Sequence, residues 1–307
     1  MAAVREITAG LRFPEGPVAM PDGSVVLVEI ERRTLTRVSL DGTKTVIATP
    51  GGGPNGAAIG PDSKCYVCNN GGFKWHEDDR SLRPILQPDD YSGGRIERID
   101  VTTGEVETLY THCGDHALRG PNDIVFDQQG GFWFTDLGKT RPRDWDRGAV
   151  YYAKADGSMI KEVVQPMITP NGIGLSPEGD RLYVAETQTG RLWAFEITGP
   201  GELKKLPWPS VNGGKLVAGL PGFQLFDSLA VEANGNICVA TLFSGCITVI
   251  SPDGEVVEQV TMPDEYTTNI CFGGPGLRTA FVTLSGTGRL VALDWPRPGL
   301  RLNYAVD

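Results

Sequence analysis

Several things are scarce in this chain of 307 residues. No segment offers about 18 uninterrupted apolar residues, the length a membrane-crossing helix needs. The stretch after Met1 has no apolar run of the kind a secretory signal carries, and a cytoplasmic protein without membrane contact is the expectation. Positive charge is short, with 28 Lys and Arg against 38 Asp and Glu and a net charge of −10. Nucleic-acid grooves and polybasic membrane contacts rely on clustered Lys and Arg, so neither partner is expected. No G-x-S-x-G elbow occurs, which leaves a serine-nucleophile route without support. The six cysteines are scattered, so buried free thiols are expected rather than a disulfide framework. Cys65 and Cys68 lie three apart in a strand-like run and face opposite sides of it; without a second such pair they do not read as a zinc knuckle.

Glycine and proline, by contrast, are plentiful at 40 and 22 residues, and they sit between short apolar runs. Many tight turns follow. The runs repeat. Phe13-Pro-Glu-Gly-Pro-Val-Ala, Gly53-Pro-Asn-Gly-Ala-Ala-Ile, Gly120-Pro-Asn-Asp-Ile-Val-Phe, Thr169-Pro-Asn-Gly-Ile-Gly-Leu, Leu225-Phe-Asp-Ser-Leu-Ala-Val and Thr267-Thr-Asn-Ile-Cys-Phe share one layout. Each leads through a turn such as Pro21-Asp-Gly or Pro177-Glu-Gly into a second strand rich in β-branched and aromatic residues, such as Val25-Val-Leu-Val or Phe132-Trp-Phe-Thr. A third strand follows, often after Gly-Arg. Six such units predict an all-β, six-bladed β-propeller with four-stranded blades around a central metal-containing channel, in one domain over residues 1–307. The strand near Val4 to Thr8 should complete the sixth blade, and the six tryptophans should pack between blades.

The polar residue that opens each unit falls at Glu15, Asn55, Asn122, Asn171, Asp227 and Asn269, in steps of 40, 67, 49, 56 and 42 residues. The surplus length marks insertions. The longest, about Gly71 to Gly93, contains Phe73-Lys-Trp-His-Glu and should lie over one face. Equivalent positions on six inner strands converge on the propeller axis. Two carboxylates and four amides there form an all-oxygen set suited to a hard divalent cation, Ca2+ first, with Zn2+, Mn2+ or Mg2+ as alternatives. As ordinary turn residues, Asn and Asp after Pro or Gly would satisfy local backbone groups; Asn55 and Asn269 fit that role as well as a ligand role. Asp136, at the end of a second strand, is either support for the site or a turn cap.

The motifs Phe13-Pro-Glu15-Gly-Pro, Pro121-Asn122-Asp-Ile-Val-Phe, Phe134-Thr-Asp136, Pro170-Asn171-Gly-Ile and Asp227-Ser-Leu-Ala-Val span essentially the whole chain, which resembles the gluconolactonase and senescence-marker-protein (regucalcin-like) family. The resemblance implies that Glu15, Asn171 and Asp227 bind one metal ion, with Asn122 a fourth ligand or a substrate contact. It implies that Asp227 is the general base and that Glu15 is the second catalytic carboxylate. Members of the animal branch carry an Arg two residues before the third-unit Asn, where this chain has Gly120, and Arg119 stands next to it. Arg119, His116, His76 and Trp75 are the further candidates for substrate contacts at the mouth, with Asn122. The implied activity is metal-dependent opening of a sugar lactone, a small-molecule substrate, to its hydroxy acid by a monomer or small homo-oligomer. A phosphotriesterase or arylesterase on the same metal site, and a non-catalytic binding propeller, are the rival readings.

Overall fold

Alternating apolar residues bounded by Asp-Gly and Asn-Gly turns give short antiparallel strands, and the turns are closed by side chains. Ser24, Lys64, Gln129 and Asn236 donate their amides to the carboxylate or amide oxygens of Asp22, Asp62, Asp127 and Asn234, two residues earlier. The resulting structure, a computed structural model, describes residues 3–305; residues 1–2 and 306–307, at the ends of the expected domain, lie outside the described residues. It is a six-bladed β-propeller. The inner strands are Pro14–Ala19, Pro54–Ile59, Pro121–Phe126, Pro170–Leu175, Leu225–Val231 and Thr267–Gly273. The sixth blade is completed by Arg5–Thr8, which pairs antiparallel with Arg289–Asp294 and so ties the two ends of the chain together.

Five blades have four strands. The fourth has five, because its long third strand, Arg191–Gly199, pairs on its outer side with both Glu202–Lys204 and Lys215–Gly219. The segment between these two contains Pro207 and Pro209, which have no amide hydrogen for a ladder. The core is divided into six apolar clusters, one at each seam between neighbouring blades. Cys65 belongs to the seam between blades one and two and Cys68 to that between two and three, the opposite facing that their spacing predicts. All six cysteines are free, and only Cys113 is not fully buried. The tryptophans divide. Trp133, Trp193 and Trp295 are buried in seams, whereas Trp145 and Trp208 are exposed and Trp75 lies in the second-blade insertion. No helix among the described residues is long and apolar enough to cross a membrane.

That insertion lies on the face where the inner strands begin, since it joins the end of Cys65–Asn69, whose Asn69 pairs with Pro54, to Arg95–Ile99. Its hairpin, Lys74–Glu77 with Leu82–Leu86, is anchored to three other blades. Arg12 of the first blade bonds Glu77 at 2.6 Å, Leu82 donates to the Gly286 carbonyl of the sixth at 2.9 Å, and Gln87 donates to Thr140 in the third at 2.8 Å. The base of the insertion is held by Lys139, which is fully buried. Its Nζ donates to Gly72 O at 2.7 Å and Asn70 Oδ1 at 3.1 Å and lies 4.1 Å from the centre of the Phe73 ring.

Burial pushes the Lys139 ammonium down to about 7 from its ordinary 10.5, against the attraction of Asp136 and Asp146. The folded chain therefore binds fewer protons than the unfolded chain between those values, and stability gains from this group as pH rises through them. We expect the stability of Lys139→Met relative to the wild type, measured by urea unfolding at pH 7, 8.5 and 10, to fall steadily with pH. A pH-independent difference would contradict the burial of a titrating lysine.

Candidate metal centre in the channel

In each blade the pairing of inner and second strands slips at or beside the unit-opening residue: between Glu15 and Val18, Pro54 and Ala57, Pro121 and Ile124, Pro170 and Ile173, Phe226 and Leu229, and Thr267 and Asn269. Such an irregularity frees a residue from the ladder and re-aims its side chain. In four blades a proline is the first strand residue, a position where no amide is needed. The six side chains are all buried, and each inner strand packs against the next in a closed ring.

In three blades a glycine follows the unit-opening residue and lets the next inner strand come close. A Cβ on Gly16 would come within 2.5 Å of the Asn55 carbonyl, one on Gly56 within 2.4 Å of the Asn122 carbonyl, and one on Gly172 within 2.7 Å of the Asp227 carbonyl. Between blades three and four the Thr135 hydroxyl donates to the Asn171 carbonyl at 2.6 Å. Between blades six and one the link is made by the ring side chains themselves, with Asn269 Nδ2 donating to Glu15 Oε2 at 2.8 Å.

The donors differ in how they are held. Glu15 Oε2 also accepts the Gly16 amide at 2.9 Å. Asn171 gives its Nδ2 to Thr187 Oγ1 at 3.1 Å, which leaves its oxygen toward the ring, where Ser228 Oγ lies at 3.4 Å. Asn269 turns its oxygen back to the Ile270 amide at 2.8 Å and supports Glu15. The side chains of Asn55 and Asn122 make no hydrogen bond to any described residue.

A third carboxylate joins the two expected. Asp123, buried beside Asn122, occupies the position where blades one, two and four have glycine. Its carboxyl accepts the Ile124 amide at 2.9 Å. The sequence signal was there, as an acid at the phase filled in the other blades by Gly16, Gly56, Gly172, Ser228 and Ile270. Burial raises all three acids: Asp123 to about 7, with a contribution from Glu15; Glu15 above its ordinary value despite the Asn269 and Gly16 bonds; and Asp227 well above it, with the charges of Glu15 and Asp123 adding to burial. None of the three forms an ion pair with a described lysine or arginine. Buried, mutually repelling carboxylates beside two unpartnered amides fit a divalent cation, which would relieve the repulsion. Among the described residues no three His, Cys, Asp or Glu side chains are grouped so as to hold a metal ion by themselves.

The other candidates are more dispersed. Asp136 accepts the Arg119 and Gly120 amides at 2.7 Å each and the Gly138 amide at 2.9 Å, fixing the turn that delivers Asn122. The Arg119 carbonyl accepts the Tyr91 hydroxyl at 2.6 Å, and its side chain is exposed. His116 is exposed in a two-residue pairing with Cys113, whose thiol reaches Ile160 in the outer strand of the third blade. His76 is exposed on the insertion hairpin, 3.4 Å from Asp78. Trp75 is half-buried between Phe13 and Phe73, at centroid distances of 5.2 and 6.0 Å.

The close approach behind the ring is testable by adding one methyl group. Gly16 has φ +51° as well as the backbone contact, whereas Gly93 has φ +85° with open space around it. Gly16→Ala should destabilise by at least about 2 kcal/mol and Gly93→Ala by only about 1 kcal/mol in thermal unfolding. Equal losses would mean that the inner strands are not in contact at the ring.

The sequence profile described as SMP-30/Gluconolactonase/LRE-like region matches residues 13–286. Diisopropyl-fluorophosphatase of Loligo vulgaris is 28% identical, over 96% of this chain and 92% of its own length. The gluconolactonase of Zymomonas mobilis is 23% identical, over 92% of this chain and 79% of its own. Among solved structures, the calcium-binding protein regucalcin of Agrobacterium tumefaciens superposes with a TM-score of 0.74 at 21% identity, covering 98% of each chain. A gluconolactonase of Xanthomonas campestris does so with 0.74 at 23% identity, covering 96% of this chain and 90% of that one. At these identities the structural likenesses carry the fold. The profile spans every unit-opening residue from Glu15 to Asn269, and the chain belongs to the SMP-30/gluconolactonase/LRE-like family.

Proposed function

We propose that this chain is a metal-dependent lactonase that opens a lactone ring to its hydroxy acid. The reading is supported by buried Glu15 and Asp227, whose charges act on each other, and by the buried amides of Asn122 and Asn171 at the matching openings of the third and fourth inner strands. These four would hold one divalent ion, for which an all-oxygen set favours Ca2+ over Zn2+, Mn2+ or Mg2+. The chemistry such an ion supplies is Lewis-acid polarisation of the ester carbonyl.

The protein's own groups perform the proton work. Asp227, buried at the opening of the fifth inner strand, is the carboxylate that would act as general base. It takes a proton from water as the water oxygen bonds to the carbonyl carbon; the ring C–O bond then breaks and the departing alkoxide takes that proton back. Glu15, fixed by Asn269 and Gly16, keeps its carboxylate aimed at the axis and adds negative charge opposite Asp227. Asn122 offers an uncommitted amide to the ion or to the substrate carbonyl. Relatives called gluconolactonase and lactonase drp35 support the ester-opening chemistry and make gluconolactone the first substrate to assay. Likeness to a diisopropyl-fluorophosphatase over nearly the whole chain favours phosphotriester hydrolysis as the second reading.

A lactone panel followed by acid release, on chelator-stripped and Ca2+-restored protein, tests the assignment. Activity should vanish on stripping and return with Ca2+, and Asp227→Ala should lose about 10²-fold or more in kcat. Full activity in the stripped protein would rule out the metal role. Turnover of phosphotriesters but of no lactone would transfer the site to the second reading.

A further inference from the structure

The mouth of the channel is not uniformly polar. Phe223 is 79% exposed, yet it is stacked on Phe243, itself 38% exposed, with ring centres 5.1 Å apart and planes 28° from parallel. Phe243 in turn meets the edge of Tyr266 at 5.8 Å. Tyr266 packs against the apolar group that contains Phe13 and Trp75. All of these residues are on the face where the ring is built. Phe223 lies four residues before Asp227, Phe243 follows the second strand Ile237–Leu242, whose Leu242 pairs with Leu225, and Tyr266 lies three residues before Asn269. The result is an apolar platform on the fifth and sixth blades, on the face where the inner strand that carries the proposed base begins.

Two features mark the platform as built. Phe243 holds φ +64°, a left-handed conformation that bulky residues avoid, and its amide is fixed to the Glu265 carbonyl at 2.8 Å. The polar side chains beside it are satisfied within the protein: Ser244 Oγ donates to Gln224 Oε1, Gln224 Nε2 donates to the Pro221 carbonyl, and Asp264 accepts the Tyr266 and Thr287 amides and the Thr287 hydroxyl. A sugar would need hydrogen-bond partners around its edge as well as a stacking face. A flat apolar ring needs only the face.

Building on the lactonase reading, we propose that Phe223 and Phe243 form a specificity subsite for a flat apolar substituent, so that the preferred substrate is a lactone or ester bearing an aryl group rather than a bare sugar lactone. Two δ-valerolactones that carry phenyl or methyl on the ring carbon next to oxygen differ only in that arm. On Ca2+-loaded full-length chain the phenyl compound should be preferred in kcat/KM. Phe223→Ala should cut that preference about three- to tenfold, the scale of one aromatic contact. Trp208→Ala, which alters an equally exposed aromatic on the outer edge of the fourth blade, should leave it unchanged. An unchanged preference in Phe223→Ala overturns the proposal. So does a dimer that dissociates in Phe223→Ala while the preference stays constant, which would assign the platform to a second copy of the chain. If no lactone of any kind is turned over, the lactonase reading fails; in that case, or if only other lactones react, calorimetry with the ring-opened products decides the subsite separately. Tighter binding of 5-hydroxy-5-phenylpentanoate than of 5-hydroxyhexanoate, lost in Phe223→Ala, sustains it, and equal binding of the two overturns it.

Discussion

Carboxylates gathered in a dry channel repel one another, and much of this structure serves to hold them there. Glu15, Asp227 and Asp123 are buried, and each is pushed toward its neutral form by burial and, for Asp227 and Asp123, by a neighbouring acid's charge. Left to itself, such a cluster would favour any opening of the inner strands. The opposing forces come from the seams, where six separate apolar clusters bind each blade to the next, and from Arg5–Thr8, which closes the circle. A closed propeller cannot relax at one seam without straining the others, so it can maintain a local repulsion that an open sheet could not. A bound cation would convert that repulsion into attraction.

The second-blade insertion gives the mouth its asymmetry. It is fastened to the first, third and sixth blades through Arg12, Gln87 and Leu82, with Lys139 buried beneath it. Aromatic surface therefore runs from Phe73 and Trp75 through Tyr266 to Phe243 and Phe223, along the sector formed by blades two, one, six and five. The third-blade side carries Arg119 and Tyr91 instead. The mouth therefore has a flat apolar shelf on one flank and hydrogen-bonding groups on the other.

The repeat made the fold and the openings of the six inner strands legible, because hairpin patterning and a recurring polar residue are local features that a propeller superposes in space. The second-strand end at Asp136 was also legible as a cap, and the structure gives it three backbone amides to hold. Other features depended on contacts between distant residues. His116 stands close to Asn122 in sequence, but the turn fixed by Asp136 separates them, leaving His116 in a short hairpin whose Cys113 touches the outer strand of the third blade. Asp123 reads in the sequence only as part of the Pro121-Asn122-Asp-Ile-Val-Phe motif; its burial at the phase that glycine fills in three other blades depends on how the strands converge. The fifth strand of the fourth blade arises from a single long partner, Arg191–Gly199, and no periodicity announces that. The platform at Phe223 was hidden for the same reason, since its three aromatics come from three separate connections.

The account depends most on the ring being a cation site. A calorimetric titration of Ca2+ into chelator-stripped protein tests that directly, with Glu15→Gln as the comparison. The account predicts one saturable site per chain, abolished in Glu15→Gln while the variant's unfolding remains cooperative. Saturable binding that survives in Glu15→Gln with unchanged affinity, or no binding heat in the wild type, would contradict it.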